Sequence, residues 1–312
     1  MNTRRVGRTG LKVSEICLGT MTFGHQCDER TSFAILDKAT EHGVTFLDTA
    51  DVYGGQGKSE EMMGAALKGK RHQVVLATKF AMPMGKGPDM KGGSRRYVVS
   101  AVEASLKRLQ TDYLDLYQMH APDPDTPIEE TLGALDDLVT QGKVRYLGNS
   151  NFTGWMIADA DWTSKNEHMN RFVSAQNNYS LLERRVEHEV NPACARFGLG
   201  MLPYFPLASG LLTGKYKRDE APPEGTRLAA WGPRGAQALN DKNFDRLEKL
   251  SSWAEERGHD MLELAFAWLL GHPVVSSVIA GATKPEQVEA NAATAAWKLT
   301  PQEVAEVTKL AA

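Results

Sequence analysis

Short runs of β-branched and other apolar residues alternate along the chain with longer stretches whose apolar positions recur every three or four residues. The runs predict eight strands: Ile16–Leu18, Thr45–Leu47, Val74–Ala77, Tyr113–Gln118, Val144–Leu147, Val173–Ala175, Met201–Leu202 and Val274–Ile279. The stretches between them predict helices. Val98, Val102, Leu106 and Leu109 share one helical face, and Ile128, Leu132, Leu135 and Val139 share another. Pro127 suits the first turn of that second helix, and Gly142 follows its end. Ahead of the first strand, Arg4 to Val13 reads as a β-hairpin turning around Gly7 and Thr9-Gly10.

Strand and helix in strict alternation imply parallel pairing, because parallel strands need a crossover, most often helical. Eight such units predict a (β/α)8 TIM barrel, with a doubly wound sheet as the alternative that strand count leaves open. One segment breaks the rhythm. Ala208 to Asn240 carries Gly210, Gly214, Pro222-Pro223, Gly225, Gly232 and Gly235, and reads as an irregular lid loop after the seventh strand. At about 150 residues per domain the 312 residues suggest two domains, yet one barrel fills about 250. With the hairpin, the lid and a short C-terminal helix added, residues 1–312 read as one domain.

Composition narrows the partners. Lys and Arg number 36 against 39 Asp and Glu, a net charge of −3, so no general field draws nucleic acid or an anionic membrane. With 42% hydrophobic and 24% charged residues the chain has the material for a packed core. Cys17, Cys27 and Cys194 are odd in number and widely spaced, which argues against a disulfide scaffold. No apolar run follows Arg4-Arg5, and the most apolar stretch, Met261 to Leu270, is interrupted by Glu263 and is shorter than the ~18 residues of a membrane span. These features predict a cytoplasmic protein that stays off membranes. Its oligomeric state is not legible.

The candidate chemistry lies where the predicted strands end. Gly19-Thr20, Asp48, Lys79, His120, Asn149-Ser150-Asn151, Gln176, Tyr204 and Gly281 each follow an apolar run, and Tyr53 stands just beyond the second strand. Barrel enzymes build their sites at this end of the strands. A tyrosine is a poor acid near neutral pH, but a neighbouring ammonium favours its phenolate form and should lower its pKa. On this reading Lys79 activates Tyr53, Asp48 holds Lys79, and His120 orients a carbonyl oxygen that Tyr53 protonates. Two other readings use the same residues: a structural Asp48–Lys79 pair, or a Schiff-base lyase with Lys79 as the amine nucleophile.

The motifs at these ends resemble one family. Gly19-Thr20-Met21-Thr22-Phe23-Gly24, Phe46-Leu47-Asp48-Thr49-Ala50-Asp51-Val52-Tyr53-Gly54, Thr78-Lys79, Tyr113-Leu114-Asp115-Leu116-Tyr117-Gln118-Met119-His120 and Gly148-Asn149-Ser150-Asn151-Phe152 occur in the order seen in aldo-keto reductases. The resemblance spans essentially the whole chain. It is nearest to the non-classical branch that holds aryl-alcohol-dehydrogenase-like reductases and potassium-channel β subunits, so a cofactor-occupied regulatory subunit is a further reading. The resemblance implies NAD(P)(H)-dependent reduction of a small aldehyde or ketone, with Tyr53 as acid, Lys79 and Asp48 tuning it, and His120 orienting the carbonyl.

The same resemblance implies the cofactor contacts. Gly19, Thr20, Met21 and Asp48 line the first two strand ends. Ser150, Asn151 and Gln176 match the side chains that bind the nicotinamide carboxamide, and Tyr204 matches the ring on which nicotinamide stacks. Pro206 to Lys215, including Leu207, Ser209, Gly210 and Leu212, resembles the pyrophosphate loop, and Arg227 follows it. Gly281, Thr283, Lys284, Gln287 and Asn291 fall in the segment resembling the adenosine site, where a 2′-phosphate would meet a helix N-terminus. NADPH is therefore the expected cofactor, with NADH the weaker alternative. The chain departs from the family pattern at Thr283, where many relatives have Arg, at Gly281, where one branch has Lys, and at Ala290, often Glu.

Other features point elsewhere than chemistry. Gly57-Lys58-Ser59 is no P-loop, because Val52 occupies the required earlier glycine position; it reads as a helix start capped by Ser59, with Glu60 and Glu61 in the first turn. His42 before Gly43 marks a helix end. His168, His188 and His259 read as solvated, and no histidine pair has metal-ligand spacing. Phe23, Met82, Met84 and Trp231 are the candidate pocket walls.

Overall fold

The structure is a computed structural model that describes residues 1–87 and 89–312. Its hairpin pairs β1 (Thr3–Arg5) with β2 (Lys12–Ser14). Eight parallel strands follow: β3 (Ile16–Gly19), β4 (Phe46–Asp48), β5 (Val75–Phe80), β6 (Leu114–Met119), β7 (Val144–Ser150), β8 (Phe172–Gln176), β9 (Gly200–Met201) and β10 (Val278–Gly281). They lie in sequence order, with β10 returning beside β3. The edges meet through Met201 N–H to Val274 O, Ser276 N–H to Met201 O and Ile279 N–H to Pro203 O, at 2.8–2.9 Å. The sheet closes into the (β/α)8 barrel.

The predicted strands are all present, with one displacement. Val274 to Ile279 is strand only from Val278, because its first residues bridge β9 as part of this closing seam. At the N-terminal end the barrel interior is filled by Cys17, Phe46, Ala77, Leu116, Leu202 and Ile279, and the hairpin plugs it with Val6 and Val13. The plug comes close enough that only glycine fits at the turn: a Cβ on Gly7, at φ +54°, would stand 2.2 Å from the Gly198 carbonyl oxygen.

Helices cover the outside. On α4 (Arg95–Leu109) Val98, Val102, Leu106 and Leu109 are all buried, as their spacing predicts. On α5 (Ile128–Thr140) Leu132 and Leu135 are buried while Ile128 and Val139 pack at the margin. Pro127 sits at the cap position of α5, one residue ahead of its first turn. Asp28, Ser94 and Thr153 cap α1 (Glu29–Glu41), α4 and α6 (Gly154–Asn166) through their side chains. The segment after β9 is more ordered than its composition predicts. It winds a 3-10 turn at Ala208–Thr213 and two short helices, Arg227–Ala230 and Pro233–Ala236, before two long helices, Asp241–Glu255 and Met261–Leu270. Helix Pro285–Ala293 follows β10, and Pro301–Leu310 is the C-terminal helix. Among the described residues no helix is long and apolar enough to cross a membrane.

Candidate active site

Period-2 alternation decides which strand residues point into the barrel, and at the C-terminal end it aims Asp48, Lys79, Gln118 and Gln176 at one another. Lys79 is fully buried. Its ammonium donates to Asp48 Oδ1 at 2.6 Å, to the Thr49 carbonyl at 2.8 Å and to the Tyr53 hydroxyl oxygen at 3.3 Å. Asp48 Oδ2 accepts from Gln118 Nε2 at 3.0 Å and from Gln176 Nε2 at 2.9 Å. The carboxylate is thus the hub of a dry polar layer. Gly148 makes room for it, since a Cβ there would stand 2.4 Å from Ser174 Oγ and 3.0 Å from Gln118 Cγ.

Burial alone would neutralise Lys79. The facing Asp48 charge, the Tyr53 oxygen and their hydrogen bonds outweigh it and hold the ammonium charged, with its pKa above the ordinary range. For Tyr53 the balance goes the other way from the sequence-based expectation. Burial raises its pKa more than Lys79 lowers it, so in the protein alone it is a phenol with a pKa above the usual value. Because Lys79 donates to the Tyr53 oxygen, the phenol hydrogen stays free to donate outward. His120 meets the Tyr53 ring edge to face at 5.8 Å. Burial, aided by the Lys79 charge, drops its pKa to about 3, so it is a neutral imidazole. The four predicted catalytic residues therefore stand in one cluster, with Asp48 against Lys79, Lys79 against Tyr53 and Tyr53 against His120.

The other predicted positions divide into groups. Asn151, in the left-handed region at φ +62°, donates to the His120 carbonyl at 2.9 Å and accepts from the Tyr204 hydroxyl at 2.8 Å. Ser150, at 1% exposed, lies beside it, with Ser150 Oγ accepting from Asn151 Nδ2. These two with Gln176 and Tyr204 border the catalytic group. After β9 the backbone turns tightly, with positive φ at Phe205, Ala208, Ser209 and Gly210, and the Ala208 and Gly210 N–H groups bond the Phe205 and Leu207 carbonyls at 2.9 and 2.8 Å. Pro206, Gly210 and Leu212 are buried there, Leu207 and Ser209 are half-buried, and Lys215 is exposed. Arg227 is stacked over the Phe205 ring at 5.1 Å, half-buried, and has no acidic partner among the described residues.

Near β10, Gly281 is open, and Lys284 is exposed at the cap position of the helix Pro285–Ala293, with no ion pair among the described residues. Gln287 accepts from the Thr283 N–H at 2.7 Å, and Asn291 is buried. At the first strand end Gly19 and Thr20 are buried and Met21 is exposed. The Thr20 hydroxyl is already bonded to the Asp48 carbonyl and Ser59, which leaves Met21 the freer of the pair.

Several expectations change. Ser59 caps nothing: Gly57 occupies the cap of α3 (Lys58–Ala66), and the buried Ser59 hydroxyl bonds Thr20 and Thr49, joining two strand ends to the helix. Phe23 is fully buried in the core and is no open wall, whereas Met82 and Met84 are half-buried and Trp231 is exposed. His259 is stacked on Trp297 at 3.8 Å rather than free in solvent.

Sequence reasoning overlooked two parts of the site. Gln118 lies on β6 two residues before His120, which follows the strand, and strand alternation was the signal that would have found it. Behind Tyr53 lies a buried carboxylate pair. Glu60 is fully buried, accepts from Thr78 Oγ1 and from Arg108 Nε at 2.6 Å each, while Asp51, 1% exposed, has neither oxygen hydrogen-bonded among the described residues. Burial, with the Glu60 charge added, raises the Asp51 pKa to about 7.

Residues 15–312 match the Aldo/keto reductase family. The chain is 42% identical over 293 residues to an uncharacterized oxidoreductase, YrpG, of Bacillus subtilis (strain 168), covering 91% of this chain and 87% of the relative. It is 37% identical to a probable voltage-gated potassium channel subunit beta of Oryza sativa subsp. japonica, covering 93% and 90%. A third relative, the L-glyceraldehyde 3-phosphate reductase of Escherichia coli O157:H7, is 34% identical, covering 93% and 86%. Barrel, site and kinship define an oxidoreductase class. The chain belongs to the aldo/keto reductase family.

Proposed function

We propose that residues 1–312 act as one catalytic domain that reduces a small aldehyde or ketone with NADPH. The observation that carries this reading is the Tyr53–Lys79 contact, with an ammonium donating to the phenol oxygen from a buried Asp48 ion pair. A carbonyl oxygen at the Tyr53 hydroxyl receives its proton. As the proton leaves, negative charge gathers on the phenolate oxygen, where the Lys79 ammonium already points. Neutral His120 offers a ring N–H to the same carbonyl oxygen and holds the carbonyl in line. All three contacts of Lys79 are as donor, so it has no lone pair with which to attack a carbonyl, and this argues against the Schiff-base reading.

A nicotinamide dinucleotide suits the residues beside the catalytic group. Arg227 and Lys284, neither in an ion pair among the described residues, with Lys284 at a helix start, offer positive charge for a dinucleotide's phosphates. Ser150, Asn151 and Gln176 would hold the carboxamide, Tyr204 the ring face, and Lys284 the 2′-phosphate. When bound, the reduced cofactor supplies hydride to the carbonyl carbon. Tyr53→Phe tests the assignment. Aldehyde reduction should fall by roughly 100-fold or more, while NADPH still binds as judged by fluorescence titration. Retained turnover would reject Tyr53 as the acid.

A further inference from the structure

Asp51 lies in the turn between β4 and Tyr53, with its backbone N–H donating to the Lys79 carbonyl at 3.3 Å. Every element packed against its carboxyl contributes an ionisable or polar group. Glu60 faces it from α3, Arg108 and Tyr97 from α4, Tyr117 from β6 and Lys79 from β5, while Tyr53 follows in its own segment. Arg108 is bonded to Glu60, Lys79 to Asp48, and the Tyr97 hydroxyl donates to the Met82 carbonyl at 3.3 Å. Among the described residues the Tyr117 hydroxyl is buried without a partner, as both Asp51 oxygens are. Two buried carboxylates thus share one guanidinium, and Glu60 holds it.

We infer that Asp51 is a positioning residue for the reductase site, protonated when the site is most active, and that its ionisation places a second negative charge behind Tyr53 that weakens the phenol as a proton donor. The inference rests on the carbonyl-reductase reading. It follows from charge balance in a dry layer: with Arg108 engaged, an ionised Asp51 has no counterion in contact, and the charged form is disfavoured until bulk pH drives the proton off. Asp51 sits close enough to Tyr53 for its charge to act against the phenolate, which is the form Tyr53 reaches on giving up its proton. Burial keeps Asp51 protonated, and Glu60 reinforces it by occupying Arg108 and by its own charge.

The test is the pH dependence of kcat/KM for aldehyde reduction with NADPH saturating, in the full-length protein and two variants. The wild type should lose roughly three- to ten-fold as pH rises through about 7, the size expected when a nearby charge shifts an acid by about half to one unit. Asp51→Asn should remove this fall and extend the plateau to higher pH. Glu60→Gln should move the fall to lower pH, because Asp51 then gains Arg108. An unfolded variant is guarded against by carbon-13 NMR of aspartate-labelled wild type, in which one carboxyl should titrate near neutrality. Coincident profiles for wild type and Asp51→Asn, or no aspartate titrating near neutrality, would overturn the inference. A wild type that reduces no carbonyl would instead overturn the functional reading, whatever the NMR shows.

Discussion

Replacing Asp48 by Asn probes the hub of the site. Asp48 and Lys79 are 2% and 0% exposed, and their contact is 2.6 Å. The asparagine removes the negative charge and puts an amide N–H2 among groups that are themselves donors, the Lys79 ammonium and the Gln118 and Gln176 amides. Its Oδ1 can still accept from Lys79, but the ammonium is then left buried without a counter-charge, held only by neutral oxygens. Removing one partner of a buried pair costs about 3–5 kcal/mol, a large part of the roughly 5–15 kcal/mol that holds a domain folded. The double variant Asp48→Asn/Lys79→Met takes away the stranded charge as well, and should regain part of the loss. Recovery stays incomplete because the Thr49 carbonyl loses its donor, at about 1–3 kcal/mol. Urea unfolding of wild type, both single variants and the double variant at neutral pH closes the cycle, and aldehyde reduction should stay lost in the double variant. An Asp48→Asn loss under about 1 kcal/mol, or additive single effects, would refute the ion pair as the organising contact.

Three further outcomes follow from the geometry. Lys284→Ala should weaken NADPH roughly ten-fold and leave NADH unchanged, since only the former carries a phosphate for that side chain; equal loss in parallel titrations would reject the assignment. Asp51→Asn should be more stable than wild type at about pH 8, by up to about 4 kcal/mol, and match it near pH 3.8. The folded carboxyl titrates at about 7 against 3.8 for the free group, so wild-type stability is full below 3.8 and declines as pH rises toward 7. His120→Gln should lower turnover but leave any near-neutral inflection in place, because the native imidazole gains its proton only near pH 3. An inflection that vanishes with His120 would show the wrong group had been assigned.

The residues that end strands were legible because two simple periods met there. Alternation selects the barrel face, and the change from apolar to polar marks the end of the run, so Asp48, Lys79 and His120 stood out. Gln118, the last residue of its predicted strand, did not, because a neutral amide near His120 gave no sign of its bond to Asp48. Asp51 and Glu60 were missed for a different reason. Their meaning depends on burial and on Arg108, 48 residues from Glu60, and no local pattern carries a contact that distant. Ser59 was read as a cap because its bonds to Thr20 and Thr49 form only in the folded barrel. Helical spacing predicted the buried faces of α4 and α5 well. It was silent on the 208–240 segment, where glycine and proline content concealed short helical turns. The Tyr53 pKa shows the same limit in energetic terms: the charged neighbour was visible, but the depth of burial that outweighs it was not.

The hairpin that plugs the barrel also straddles its closing seam. Arg8 N–H meets the Gly198 carbonyl beside β9, while Gly7 N–H meets Ser276 Oγ and Arg4 meets the Val275 carbonyl on the approach to β10. These partners are up to 271 residues apart along the chain. The hairpin precedes every barrel strand along the chain, yet its last docking site follows β9. Such late, far-separated contacts slow folding, since most of the chain entropy is lost before they form. Docking the hairpin therefore requires both sides of the seam, β9 and the approach to β10, to be in place.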